Sequence, residues 1–151
     1  MNLLLDTNVL SEVRRPAPSP KVLAWLDTID EDRAFISVAT IAELRRGIAL
    51  LEDGRRRTAL AAWLAHDLPA RFADRVLPID HAVAERWGDL MAQSRRGGVA
   101  LSVMDGFFAA TALVHHLTLV TRNVKDFEGI DDLALFDPWS NAARPATPQQ
   151  T

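Results

Sequence analysis

Short apolar runs suited to strands alternate along this chain with longer stretches of helical periodicity, and that alternation constrains the fold more than any other feature. The candidate strands are Asn2–Leu5, Arg33–Ser37, Val76–Ile79 and Leu117–Thr121, with a weaker fifth, Leu133–Phe136, just ahead of Asp137-Pro138. Val38, Ile41, Leu44, Ile48 and Leu51 recur at offsets of three and four, the stripe of an amphipathic helix. Further helical stretches run from about Lys21 to Ile29, Thr58 to His66, Val83 to Ser94 and Val103 to His116. Such alternation is satisfied by a parallel sheet, because each helix carries the chain back along it and covers one face. The expected fold is α/β, a three-layer α/β/α sandwich with a central, mostly parallel sheet.

Punctuation agrees. Pro16-Ala17-Pro18-Ser19-Pro20 separates a short first helix from the second, and Gly97-Gly98 breaks the helical pattern before Val103. A chain of 151 residues, 48% hydrophobic and 25% charged, has the balance of one globular domain. Residues 1–140 are expected to form it. Residues 141–151, poor in apolar side chains, are expected to be a disordered tail. The apolar runs are too short to span a bilayer, and Asp6 interrupts the N-terminal one too early for a secretory leader, so no membrane partner and a cytoplasmic location are expected. With no cysteine, disulfides and thiolate metal sites are excluded.

The net charge of −3 argues against a broad nucleic-acid-binding surface. The positive charge is nearly all arginine, since Lys21 and Lys125 are the only lysines. Arginine's planar fork suits phosphate. Its clusters, at Arg14–Arg15, Arg45–Arg46, Arg55–Arg57 and Arg95–Arg96, read equally as solvated helix faces.

In open parallel sheets, ligands sit beyond the carboxyl ends of the strands. Asp6 ends the first candidate strand and Asn123 follows the fourth, in Thr121-Arg122-Asn123. Glu43 lies in the helix after the second strand and Asp105 opens the helix after Ser102, both in apolar local company. Each has an innocent reading. Asp6 suits an Asx turn, Asp105 stands at capping-box spacing from Ser102, Glu43 suits a pairing with Arg45 or Arg46, and Asn123 suits a cap on the next turn. Should the four converge, their mutual repulsion calls for a cation. All-oxygen donors suit Mg²⁺ or Mn²⁺ and not zinc. Such an ion supports hydrolysis of a phosphodiester by water.

Five runs, in order, resemble the four motifs and the closing strand of one family. Leu3-Leu4-Leu5-Asp6-Thr7-Asn8-Val9-Leu10-Ser11-Glu12 resembles the opening of a PIN domain of the VapC and FitB-like branch. Ala39-Thr40-Ile41-Ala42-Glu43-Leu44-Arg45-Arg46-Gly47 resembles its second acidic motif, and Asp105-Gly106-Phe107-Phe108-Ala109-Ala110-Thr111-Ala112 its third. Thr121-Arg122-Asn123-Val124-Lys125-Asp126-Phe127 resembles the fourth, and Phe136-Asp137-Pro138-Trp139 the closing strand.

The resemblance implies a metal-dependent ribonuclease, the toxin of a VapBC-type toxin–antitoxin pair, with catalytic residues Asp6, Glu43, Asp105 and Asn123. Asp6, Glu43 and Asp105 would carry Mg²⁺, or alternatively Mn²⁺. The fourth position is often aspartate in relatives. Asn123 brings an amide oxygen and no charge, and Asp126, three residues on, is an alternative source of it. Thr7 and Asn8 are expected to position Asp6. The implied products are a 3′-hydroxyl and a 5′-phosphate. The implied partners are an RNA substrate, a cognate VapB-like antitoxin and a second copy in a homodimer, with operator DNA reached only through the antitoxin.

Other constellations carry less. His66, His81, His115 and His116 lack metal-ligand spacing and read as structural or surface residues. Trp25, Trp63, Trp87 and Trp139 read as packing residues ahead of base-stacking ones. No Gly-rich phosphate loop is present. An aspartyl-phosphate enzyme would need a second acid where Asn8 stands. The more serious rival is a PIN-fold binding module whose catalysis Asn123 has weakened.

Overall fold

The computed structural model describes residues 1–147. Six strands form one sheet in the order β3-β2-β1-β4-β5-β6: β1 Leu3–Leu5, β2 Ala34–Ser37, β3 Val76–Leu77, β4 Thr118–Val120, β5 Leu135–Asp137 and β6 Ala142–Arg144. The first five are parallel, and β6 runs antiparallel to β5. The helices are α1 Thr7–Val13, α2 Pro20–Thr28, α3 Val38–Ala49, α4 Arg55–Ala62, α5 Leu68–Phe72, α6 His81–Arg96 and α7 Val103–Val114.

Side-chain alternation along β1 divides the core in two. Leu4 points to one face, where it joins Leu119, Phe108 of α7 and Leu90 and Val83 of α6. Leu3 and Leu5 point to the other, with Val9 and Leu10 of α1, Leu44 and Ile48 of α3, and Phe72 of α5. All three β1 leucines are buried, as a central strand between two helical layers requires. The expected three-layer α/β/α architecture is thus present.

Element edges differ from expectation where the backbone has a local reason. β3 stops at Leu77 because Pro78 has no N–H for the ladder. Leu133 donates to the Ile130 carbonyl in a turn, so β5 begins at Leu135, two residues later than expected. The helix expected to end at His66 continues as a wider π-helical turn, Trp63–Asp67, and then as α5 with Pro69 in its first turn.

The C-terminal tail departs further from the reading. In place of disorder from residue 141, β6 adds an edge strand. Arg144 reaches from it to the carbonyls of Glu128, at 3.0 Å, and Leu133, at 2.7 Å, tying down the loop before β5. One well-aimed guanidinium ties this polar segment to the loop by hydrogen bonds where apolar burial is lacking. Residues 148–151 of the expected tail lie outside the described residues.

The strand order sets the site. From β1 the chain steps outward through β2 and β3, then returns to the opposite flank of β1 as β4. The two winding directions diverge between β1 and β4, leaving a crevice at the carboxyl ends of those strands.

Candidate active site

Asp6 stands at that crevice, directly after β1 and at the N-cap of α1. Its Oδ1 accepts from the Thr7 backbone N–H at 2.7 Å, and its Oδ2 accepts from the Thr121 hydroxyl at 2.7 Å and from the Asn8 amide at 3.3 Å. The side chain is buried. Burial lifts its pKa from 3.8 to about 6, the charges of Glu43 and Asp105 push the same way, and the Thr121 and Thr7 bonds hold it partly down. In place of the Asx turn expected of it, whose bond would reach the backbone two residues on, Asp6 caps α1 through the adjacent Thr7 N–H, and its carboxylate also lines the crevice.

Glu43 projects from α3, whose N-cap Ser37 ends β2. Its Oε1 accepts from the Thr7 hydroxyl at 2.6 Å. No ion pair among the described residues joins it to Arg45 or Arg46. Thr7 therefore holds two acids at once, by its backbone and its side chain.

Asp105 sits in the first turn of α7, capped by Ser102, whose Oγ accepts from the Asp105 backbone N–H at 3.1 Å. Ser102 caps the backbone of Asp105 and also favours its ionised carboxylate, which lines the crevice. Its pKa is raised, first by burial, then by the charges of Asp126 and Glu43. α7 approaches α6 closely here. A Cβ on Gly106 would lie 2.7 Å from Met91 Sδ and 2.8 Å from Trp87 Nε1, and Trp87 Nε1 donates to the Val103 carbonyl at 3.0 Å. Glycine next to Asp105 is what lets the start of α7 seat against α6.

Asn123 follows β4, and its backbone N–H donates to Thr121 Oγ1 at 3.1 Å. It stands at the N-cap of the 3₁₀ turn Val124–Phe127, but its side chain makes no capping bond. Asp6, Glu43, Asp105 and Asn123, drawn from four separate stretches of sequence, line one solvent-open cleft of about 400 Å³. A second cleft of about 400 Å³, lined by Leu10, Leu26, Phe72, Asp27, Glu31 and Arg71 among others, contains none of the four.

Five further residues line the acidic cleft that sequence reasoning did not assign to it: Ser11, Glu12, Arg15, Arg122 and Trp139. Thr121, which braces Asp6 from behind, was not singled out either. Glu12 is buried, with its pKa lowered first by the Ser19 backbone N–H, which donates to it at 2.9 Å, and then by Arg15, 3.2 Å away. Trp139 keeps the packing role expected of it and also lines the cleft. It lies against the core yet carries the Arg122 guanidinium 5.3 Å above its ring, at the cleft. Its neighbour in position along the chain gave no hint of this, because the two meet only through the β4–β5 pairing.

The other tryptophans and the histidines follow expectation. Trp25 stacks on Phe136 and Trp87 on Phe107, with ring centroids 5.1 and 5.0 Å apart. His81 pairs with Glu85 on the exposed face of α6, and His115 and His116 close α7. None lines the acidic cleft.

The donor chemistry of the cleft fits a hard divalent ion. It offers carboxylate and amide oxygens, with no sulfur and no imidazole. Among the described residues no three acidic or imidazole side chains stand close enough to cage an ion directly. The fit is therefore to an ion that retains much of its water shell and is held partly through it, as Mg²⁺ commonly is.

Comparison with known proteins agrees with this geometry. The PIN domain pattern matches residues 3–133. The chain is 40% identical to Toxin FitB of Neisseria gonorrhoeae over 91% of its own length and 98% of that protein's. It is 38% identical to VapC ribonuclease Y4jK of Sinorhizobium fredii, over 93% and 99% of the two chains. The fold superposes on the crystal structure of FitAcB from Neisseria gonorrhoeae with a TM-score of 0.85 at 40% identity, covering 91% of this chain and 98% of that one. Sheet order, cleft and sequence thus lead to one conclusion: the chain belongs to the PIN domain family, alongside Toxin FitB and the VapC ribonucleases.

Proposed function

We propose that this protein is the toxin of a toxin–antitoxin pair, a ribonuclease that hydrolyses RNA phosphodiesters at the acidic cleft with the help of Mg²⁺ or Mn²⁺. The observation that carries this reading is the convergence of Asp6, Glu43, Asp105 and Asn123 on one cleft at the carboxyl edge of a parallel sheet. Asp6, Glu43 and Asp105 would hold the ion, in part through water, and Asn123 lines the same cleft with an amide oxygen to offer. Such an ion, when bound, supplies an activated water and offsets charge on the phosphate. Thr7 keeps Glu43 and Asp6 at a fixed separation, and Thr121 and Asn8 fix the plane of the Asp6 carboxylate. Water adds to phosphorus as the bond to the 3′ oxygen breaks, leaving a 3′-hydroxyl and a 5′-phosphate.

A nuclease of this kind harms the cell that makes it unless it is silenced, so the reading includes a cognate VapB-like antitoxin that occludes the cleft. A groove of about 260 Å³ extends from Thr7 and Glu43 past Leu44, Ile48, Leu51, Leu60 and Trp63, an apolar seat for a partner segment beside the acids. The reading also includes a homodimer, with operator DNA contacted only by the antitoxin, which agrees with the net charge of −3.

The test is cleavage of RNA by the purified chain with Mg²⁺ or Mn²⁺ and with a chelator, followed by sequencing of the 5′ ends. Ion-dependent cuts bearing 5′-phosphates support the reading. A folded chain that binds RNA and cuts none of it under either ion would identify the weakened binding module instead.

A further inference from the structure

Four carboxylates line the cleft, those of Asp6, Glu12, Glu43 and Asp105, against the guanidiniums of Arg15 and Arg122. RNA is itself a polyanion. A phosphate brought to about 4 Å from one uncompensated carboxylate meets roughly 4 kcal/mol of repulsion at an effective dielectric of 20. A bound ion serves the scissile phosphate, but its neighbours along the strand need cations of their own.

The two arginines are held differently, and each is held for a reason. Arg15 is tethered by Nη1 to Glu12 Oε2 at 3.2 Å, and Glu12 is itself fixed by the Ser19 backbone N–H at 2.9 Å. The Arg15 side chain stays 59% exposed, so most of its donors face solvent. Arg122 lies over the Trp139 ring, 5.3 Å from its centroid. Its backbone N–H donates to Asn8 Oδ1 at 3.4 Å, and the Asn8 amide donates to Asp6 at 3.3 Å, which couples Arg122 to the acid at the centre of the site. No ion pair among the described residues includes Arg122. It is a guanidinium fixed on one face by an indole, felt by Glu12 only through its charge, and with its planar fork of donors making no hydrogen bond among the described residues. Arg45, Arg46, Arg95 and Arg96, by contrast, are exposed on helix faces away from this cleft.

We propose that Arg122 on Trp139 and Arg15 on Glu12 form a two-guanidinium rim that binds RNA backbone phosphates next to the one being cut. The assignment rests on the nuclease reading above and names the residues that hold its substrate. Arginine suits the task because its fork meets phosphate oxygens in pairs and stays charged at any working pH. The indole brace orders the fork in advance, so less entropy is lost when the strand arrives.

The test is binding of a fluorescein-labelled single-stranded RNA oligonucleotide in EDTA, where no cleavage occurs, across a series of salt concentrations. Arg122→Ala and Arg15→Ala should each weaken binding roughly tenfold, the scale of one charge-assisted contact. Each should also flatten the slope of log affinity against log salt by about 0.7, one phosphate's worth for single strands. Arg122→Lys should keep the slope and lose part of the affinity. Trp139→Leu, which removes the brace and no charge, should do the same. Arg96→Ala, on the end of α6, should change nothing, and thermal melts check that every variant is folded. Unchanged affinity and slope in folded Arg122→Ala, undetectable binding by the wild type both in EDTA and with Ca²⁺ in its place, or an equal loss in Arg96→Ala would each overturn the proposal. RNA cleavage by the wild type in Mg²⁺, measured alongside, judges the nuclease reading separately. If the wild type cuts while Arg122→Ala leaves KM unaltered, the rim is wrong and the nuclease reading stands.

Discussion

The Thr7 hydroxyl donates to Glu43 Oε1 at 2.6 Å, across 36 residues of chain. The same residue's backbone N–H donates to Asp6 Oδ1 at 2.7 Å. One threonine thus sets the spacing of two acids carried on different elements, where α1 and α3 both line the crevice. Thr7→Val keeps the shape and removes the hydroxyl. It should cost about 1 kcal/mol of stability, the value of one hydrogen bond, while lowering kcat for RNA cleavage at least tenfold, because Glu43 loses its fixed position. Thr7→Ser should restore most of the rate. Steady-state kinetics of the two variants beside a urea titration distinguish a positioning role from simple loss of fold.

Asp105→Asn should abolish RNA cleavage and toxicity in cells while leaving the melting temperature close to the wild type's. The reason is a division of labour within one residue. The Ser102 cap binds the Asp105 backbone N–H, which asparagine retains, whereas the charge facing Asp6 and Glu43 belongs to the side chain alone. A folded variant with full activity would remove Asp105 from the metal-holding set. An unfolded one would mean that the carboxylate matters to α7 beyond its cap.

Much of this was legible because strand ends announce themselves. Leu3–Leu5 is an apolar run that stops at an acid, and Thr118–Val120 stops at a hydroxyl and an amide, so Asp6 and Asn123 could be placed at one sheet edge from pattern alone. Glu43 and Asp105 were legible through their motif context, since helical spacing alone cannot say which face meets the crevice. The rim was not. Arg122 and Trp139 meet across the β4–β5 pairing, and Glu12 is buried only because the chain turns back at Ser19. The order in residues 142–144 rests on Arg144 reaching the carbonyls of Glu128, Ile130 and Leu133, and no hydrophobic pattern encodes that.

The raised pKa of Asp6 carries a stability consequence in the absence of a divalent ion. Its folded value, about 6, lies above the unfolded 3.8, so between these pH values the folded state binds the extra proton. Stability contributed by Asp6 is full below about pH 4 and is lost as pH rises through about 6. The gap corresponds to roughly 3 kcal/mol at most. Thr121→Val removes a bond that favours the ionised form, so its decline should be steeper and extend to higher pH. Urea titrations in chelator from pH 4 to 7.5 would record this, and added Mg²⁺ should restore stability chiefly at the alkaline end. Equal pH dependence in wild type and Thr121→Val would disprove the coupling.

Gly106→Ala tests how firmly the start of α7 is seated. The added Cβ would come within 2.9 Å of both Met91 and Trp87, so α6 and α7 must part or Trp87 must surrender its bond to Val103. Overpacking of this kind costs about 1–3 kcal/mol, against a helix-propensity gain of up to about 1 kcal/mol for alanine over glycine. The net effect should be a lower melting temperature and a displaced Asp105. Both are measurable, the second as a raised Mg²⁺ requirement in the cleavage assay. A variant more stable than the wild type would show that Met91 yields freely and that the approach is not tight.

Asn123 and Asp126 divide the last question between them. Asn123 lines the cleft without charge, and Asp126, outside its lining, is near enough for its charge to raise the pKa of Asp105. Three carboxylates suffice for one hydrated ion, but a second ion nearby is repelled by the first, and only added negative charge offsets that. Asn123→Asp supplies the charge inside the cleft. It should lower the Mg²⁺ or Mn²⁺ concentration giving half-maximal cleavage, and the metal-free protein should lose stability at pH 7.5 from the added repulsion. Asp126→Asn should leave the metal requirement within about twofold, because an exposed charge beyond the lining is screened by water. Metal titrations of the three proteins on one RNA substrate decide the matter. A raised requirement in Asp126→Asn with no change in Asn123→Asp would make Asp126 the fourth acid. No response from either variant would mean that the chemistry runs on a single ion held by Asp6, Glu43 and Asp105.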